Sequence, residues 1–127
     1  MRMLCVTHAG SLRREPLKSA FDANYPALVE SDTADLLVAE NEERVVGYIL
    51  ASDSMTLFAN GPVTELLELY VREEDRRQGI GRMLVQQAVA RARKRGAVEV
   101  TVPTRRAAAF YLALGFESTA DFFKLKL

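Results

Sequence analysis

The stretch from Thr64 to Gly96 leaves the chain few folds to choose from. TELLELYV, residues 64–71, is apolar on both faces of a strand apart from its two glutamates. Such a run suits a central strand covered on both sides. After EEDRRQGIG comes a helical pattern, in which Ile80, Met83, Leu84 and Ala88 form one stripe, widened by Val85, Val89 and Ala92. Arg82, Gln86, Arg93 and Lys94 fall on the opposite side. The basic end, Arg91 to Arg95, suits the negative end of the helix dipole, and Gly96 supplies the left-handed stop.

The flanking sequence extends this strand–helix unit in both directions. ADLLVAE (34–40) and VVGYILAS (45–52) read as two strands of a hairpin turning at 41–43. Gly61-Pro62 marks another turn. VEVTV (98–102) alternates β-branched residues and closes at Pro103. Thr104 is placed to cap a helix through RRAAAFYLAL that ends at Gly115. DFFKLKL (121–127) alternates again, with Phe123, Leu125 and Leu127 against Phe122, Lys124 and Lys126, the pattern of a half-buried strand. Residues 1–6 suit a first strand, and residues 11–29 are weakly helical but broken by Pro16 and Pro26. The expectation is one domain over residues 1–127, of mixed α/β class.

Composition narrows the function. Seventeen basic residues balance seventeen acidic ones, which argues against nucleic acid as the main partner. A single cysteine, Cys5, excludes an internal disulfide and fits a reducing, cytoplasmic compartment. No run approaches the ~20 apolar residues of a membrane span, and MRMLCV lacks the apolar stretch of a signal peptide. No spacing of His, Cys, Asp and Glu suggests a metal. His8, the only histidine, reads as structural or exposed, and Cys5 as a small buried apolar residue.

Gly79 and Gly81 stand at the helix start, where the first four N–H groups have no helical acceptor and carry partial positive charge. Glycine lets a ligand approach that backbone without meeting a Cβ. An anion site, for phosphate above all, follows from this, with Arg76, Arg77 and Arg82 adding charge. A tight turn among solvated arginines fits equally well. A dinucleotide fingerprint would need glycine at Leu84, and a P-loop would need lysine and Ser/Thr where Arg82 and Met83 stand.

Arg76-Arg77-Gln78-Gly79-Ile80-Gly81 resembles the Q/R-x-x-G-x-G/A signature of the GNAT N-acetyltransferase superfamily. ELLELYV before it, and AAAFYLALGF one helix and one strand after it, resemble that family's fourth strand and tyrosine-bearing helix. The likeness is strongest over Glu65–Phe116. It implies a mixed, mostly antiparallel central sheet whose fourth and fifth strands splay apart, flanked by helices. It implies acetyl-CoA as cosubstrate, no metal, and an amine acceptor, small-molecule or peptide, attacked directly. Carried over residue by residue, Gln78, Gly79, Ile80, Gly81 and Arg82 would hold the diphosphate, with Arg76 and Arg77 as supporting charge. Leu69, Tyr70 and Val71 would pair with the pantetheine arm as an added strand, and the Leu69 N–H would polarise the thioester carbonyl. Thr104 stands where many relatives carry asparagine, as a partial replacement of that contact or as a helix cap.

The resemblance also implies Tyr111 as general acid beside the thioester sulfur, against a plain core role beside Phe110. Glu65 and Glu68 are the candidate bases, each acting through water or else serving as a paired strand carboxylate. Three residues apart, they face opposite sides of a strand unless a bulge intervenes. The acceptor pocket is expected from residues 10–33. The alternative to an enzyme is an acyl-CoA-binding regulatory module without turnover. The amphipathic last strand leaves room for a homodimer.

Overall fold

A computed structural model of the chain describes residues 26–27, 30–42 and 44–127. The expected first strand, most of the helical segment at 11–29, His8 and Cys5 lie outside the described residues, as does most of the expected acceptor segment. Among the described residues the order is β1 (Ala34–Asn41), β2 (Arg44–Ser54), β3 (Val63–Val71), a 3-10 turn (Glu73–Asp75), α1 (Ile80–Lys94), β4 (Glu99–Thr101) and α2 (Ala108–Ala113). The four strands form one sheet in the order β1-β2-β3-β4, antiparallel except for the parallel β3–β4 pair. This is the mixed, mostly antiparallel sheet expected from the sequence.

Alternation along the strands separates two cores. Leu37, Ala39, Val46, Ile49, Ala51 and Leu66 lie with Leu84, Val85 and Ala88 of α1 and Tyr111 of α2. Leu36, Val38, Tyr48 and Leu50 cluster on the other face, joined by Tyr70. The helix stripe is narrower than its sequence suggests. Leu84, Val85, Ala88 and Ala92 are buried, but Met83 is half exposed.

Both helices stop at glycines in the left-handed region. At α1 the Ala97 N–H reaches the Ala92 carbonyl at 3.0 Å and the Gly96 N–H the Arg93 carbonyl at 3.0 Å, with Gly96 at φ 93°. At α2 the Phe116 N–H bonds the Tyr111 carbonyl and the Gly115 N–H the Leu112 carbonyl, with Gly115 at φ 96°. Both are Schellman closures, in which only glycine turns left without a Cβ penalty.

Two expectations need correction. The last helix begins at Ala108, not beside Thr104, whose Oγ1 instead accepts from the Ala107 N–H at 3.1 Å and closes a turn ahead of the helix. The segment 121–127 is in no strand, and Phe122, Phe123, Leu125 and Leu127 are exposed. Its alternation suits a strand, but a strand needs a neighbouring edge, and this segment lies on none.

The C-terminal end of α1 is clamped to the sheet. Arg91 grips the buried Asp35 with two hydrogen bonds at 2.7 and 2.9 Å, and Arg95 bonds both Asp35 and Asp53. Thr64, fully buried on β3, donates to Asp53 at 2.6 Å. The Arg95 hydrogen bond holds the Asp53 carboxyl below its ordinary range, against desolvation, which raises it. A depressed carboxyl adds stability above its unfolded pKa, and that stability is lost as pH falls through the folded value. Urea unfolding should therefore show wild-type stability dropping below about pH 4, with a smaller drop in Asp53→Asn. Asp35→Ala, which strips both arginines of a buried acceptor, should cost about 2 kcal/mol.

Candidate functional site

β3 pairs with β4 only from Val63 to Glu65, against Glu99 to Thr101. From Leu66 to Val71 that edge of β3 is open among the described residues. The strands therefore splay, with Val102-Pro103 leading the chain away, and proline has no N–H to continue a ladder. Which backbone groups face the opening follows from alternation. The Arg72 N–H donates to Val46 on β2 at 2.8 Å, so two-residue steps turn Tyr70 toward β2 and leave Leu69 and Val71 facing the open edge. In keeping with this, the Val71 carbonyl takes a hydrogen bond from Arg76 Nε at 3.0 Å.

The bulge that could unite the two glutamates is present. Leu50 pairs with Glu68 and Ala51 with Leu66, so Leu67 is the extra residue. Leu66 lies in the α1-side core, Glu65 alternates away from it, and beyond the bulge Glu68 points away from α1 as well. Both carboxylates therefore share the face of Tyr48 and Tyr70. The Tyr48 hydroxyl donates to Glu68 Oε1 at 2.9 Å, and the two tyrosine rings lie 6.0 Å apart.

The loop from Arg72 to Gly79 joins the open end of β3 to α1. Its 3-10 turn is anchored by buried Asp75, which Arg44 of β2 meets at 3.5 Å. Arg77 (φ 65°) and Gly79 (φ 80°) are left-handed, which folds the backbone tightly. The first helical bond of α1 is Met83 N–H to Gly79 carbonyl, 3.0 Å. Among the described residues none of the N–H groups from Arg77 to Arg82 has an acceptor. A Cβ built on Gly79 meets nothing within 4 Å, so the space beside that residue is open. Phe110 of α2 lies 3.7 Å from the Cβ position of Gly81, which packs the two helix starts together. Arg77, Gln78 and Arg82 are exposed, Ile80 is partly buried, and Arg77 and Arg82 have no carboxylate partner among the described residues.

Tyr111 is delivered by the Schellman closure of α2. That motif sets the residue after the glycine against the third from the helix end, and here Phe116 meets the Tyr111 ring edge-on at 5.4 Å, with Phe110 at 4.9 Å. The side chain is buried, and among the described residues its hydroxyl has no hydrogen-bond partner. Burial raises its pKa above the ordinary tyrosine value. Among the described residues no group of carboxylates, histidines and cysteines is built to hold a metal ion, and no helix is long and apolar enough to cross a membrane.

Sequence reasoning missed Tyr48 and Gly47. Tyr48 was findable, since the hairpin alternation places it across from Tyr70. Gly47 was not, because its constraint is a cross-strand approach in which a Cβ would sit 2.7 Å from the Tyr70 carbonyl oxygen.

The sequence profile of the Acetyltransferase (GNAT) family matches residues 6–116. The chain belongs to this family. This GNAT chain is 39% identical over 92 residues to human N-acetyltransferase 8, across 68% of its own length and 40% of that protein's. It therefore spans well under half of the curated relatives it matches. Its fold superposes with a TM-score of 0.82 on a transcriptional regulator from Bacillus halodurans, at 26% identity, covering 88% of this chain and 78% of the other. It superposes at 0.78 on aminoglycoside N-acetyltransferase AAC(6')-Iy in complex with CoA, at 19% identity, covering 87% and 78%.

An unpartnered buried hydroxyl makes a stability prediction that needs no activity assay. Tyr111→Phe should leave the unfolding free energy unchanged or slightly raised, while Tyr111→Ala, which empties the space between two phenylalanines, should cost about 3–5 kcal/mol. Chemical denaturation of the two variants checks both.

Proposed function

We propose that this GNAT domain transfers acetyl from acetyl-CoA to a primary amine, of a small molecule or a peptide, by direct attack without a covalent enzyme intermediate. The observation that carries the proposal is the run of acceptor-free amides from Arg77 to Arg82 at the mouth of α1, continuous with the open edge of β3. A diphosphate fits the first feature, since unpaired N–H groups, the helix dipole and Arg77 and Arg82 all favour anions. An arm carrying two amides fits the second, where Leu69 and Val71 offer backbone groups for strand addition. The relatives named N-acetyltransferase and the CoA complex of a structural neighbour support the same donor.

In the reaction the amine nitrogen attacks the thioester carbonyl, the tetrahedral intermediate forms, and the C–S bond breaks to release CoA. The Leu69 N–H stabilises the oxyanion. The departing thiolate takes the proton of Tyr111. The proton lost by the amine passes, through water, to Glu68 or Glu65. Glu68 is the stronger candidate because Tyr48 fixes its orientation. The splay makes this division of labour possible. Tyr111 packs in the core on one side of the sheet and the glutamates lie on the other, so a carbonyl in the gap is reached from both.

Calorimetry with acetyl-CoA tests donor binding, and CoA release across an amine panel tests turnover. Binding without turnover for any amine would favour the regulatory-module reading, and absence of binding would refute both. Gly79→Val should weaken acetyl-CoA binding at least tenfold by filling the space beside the helix mouth, at a cost in stability of about 1–2 kcal/mol from its left-handed backbone. Tyr111→Phe should reduce kcat by about 10²–10⁴-fold at nearly unchanged acetyl-CoA affinity. Glu68→Gln should lower kcat/KM by more than Glu65→Gln.

A further inference from the structure

The mouth of α1 is flanked by more positive charge than a diphosphate linker needs. Arg77 and Arg82 stand beside its amides, exposed and without a carboxylate partner among the described residues. The acids just upstream are mostly engaged elsewhere. Asp75 meets Arg44 at 3.5 Å and Glu74 meets Arg72 at 3.3 Å, which leaves Glu73. A second basic pair, Arg105 and Arg106, precedes α2. Both are exposed, and neither has a carboxylate partner among the described residues. Single unpaired arginines on a surface are ordinary. Two such pairs at neighbouring helix starts raise the positive potential over one opening.

The fold brings the pairs together. Phe110, on the first turn of α2, lies 3.7 Å from the Cβ position of Gly81 on the first turn of α1. Arg106 stands four residues before Phe110. Four residues span at most about 14 Å when fully extended, and a turn takes up part of that length. Thr104 Oγ1 accepts from the Ala107 N–H at 3.1 Å and closes a turn whose two central residues are Arg105 and Arg106. That turn sets both arginines beside the start of α2, and so near the start of α1.

The donor of the proposed reaction carries an anion for this second pair. In CoA the diphosphate joins the 5′ carbon of a ribose whose 3′ carbon bears a phosphate monoester. The linker has one charge per phosphorus, and the monoester adds about −1.5 to −2 at pH 7. Backbone N–H groups at the α1 mouth suit the linker. The monoester lies a sugar ring away from it, and its three terminal oxygens suit the guanidinium fork.

We propose that Arg105 and Arg106 form a subsite for the 3′-phosphate of the acyl-CoA donor, and thereby select CoA over the same molecule lacking that phosphate. The inference rests on the donor reading given above and adds a discrimination to it. Neither the α1 amides nor the β3 edge can supply that discrimination, since both meet parts that the two donors share. The contact is remote from the thioester, so its first effect is on donor affinity.

Calorimetry with CoA and with 3′-dephospho-CoA tests this without turnover. The wild type should bind CoA about tenfold or more tightly than the dephospho form, and the gap should narrow as salt rises. Arg105→Gln combined with Arg106→Gln should lose most of that preference by weakening CoA alone. Unchanged affinity for dephospho-CoA shows that this variant folds. Lysine at both positions should keep part of the preference. A competition on the wild type needs no variant: adenosine 3′,5′-bisphosphate should displace CoA more strongly than adenosine 5′-phosphate does. Equal binding of both donors by the wild type overturns this proposal and leaves the donor reading standing. A preference that survives in the double Gln variant overturns it as well. Binding of neither donor overturns both.

Discussion

The β3–β4 pairing stops after three residues, and the rest of the site is a consequence of that stop. Had the ladder continued, the Leu69 and Val71 backbone groups would be spent within the sheet. Several features hold the opening. Pro103 ends the donor series of β4. Arg76 occupies the Val71 carbonyl at the far end, where a free acceptor would otherwise invite a strand. Gly47 lets β2 press close beneath that same end of β3. The opening is thus a built discontinuity in β3, which stays paired with β2 on its other side apart from the bulge at Leu67.

α1 is fixed at the end away from the candidate site. Its last turn is tied by Arg91 and Arg95 to Asp35 on β1 and Asp53 on β2, and Asp53 is tied in turn to Thr64 on β3. Three strands are thereby registered against one helix end. The opposite end has no such ties among the described residues, apart from the packing of Phe110 against Gly81. Donors left without partners are costly in a core but not at a surface mouth, where water or an anion serves them. The clamp is partly exposed on the arginine side, so its contribution is to alignment more than to stability.

What the sequence disclosed depended on whether a constraint has a residue type of its own. Left-handed backbone does, and Gly79, Gly96 and Gly115 stand where the turn and both helix stops were expected. The amphipathic helix and the hairpin were legible for a similar reason, since burial on one face imposes a period. The bulge at Leu67 has no such mark. ELLELYV reads the same with or without an extra residue, because leucine suits either face, and so the common face of Glu65 and Glu68 was visible only in the pairing. Thr104 misled for the opposite reason. Threonine favours caps and turns by the same hydrogen bond, and here the bond to Ala107 closes a turn before the helix begins. The alternation of the tail announced a strand, but the segment is in none.

The choice between an enzyme and a passive binding module turns on Tyr111. Its ring is explained by packing, since Phe110 and Phe116 hold it edge-on and the helix stop requires an apolar contact there. Its oxygen is not. Phenylalanine would satisfy the same packing, and a buried hydroxyl without a partner costs about 1–3 kcal/mol. Nothing in the fold recovers that cost among the described residues. In the proposed reaction that oxygen would serve as proton donor to the departing thiolate. Packing therefore accounts for the ring of Tyr111, and only the proposed reaction would give its oxygen a use.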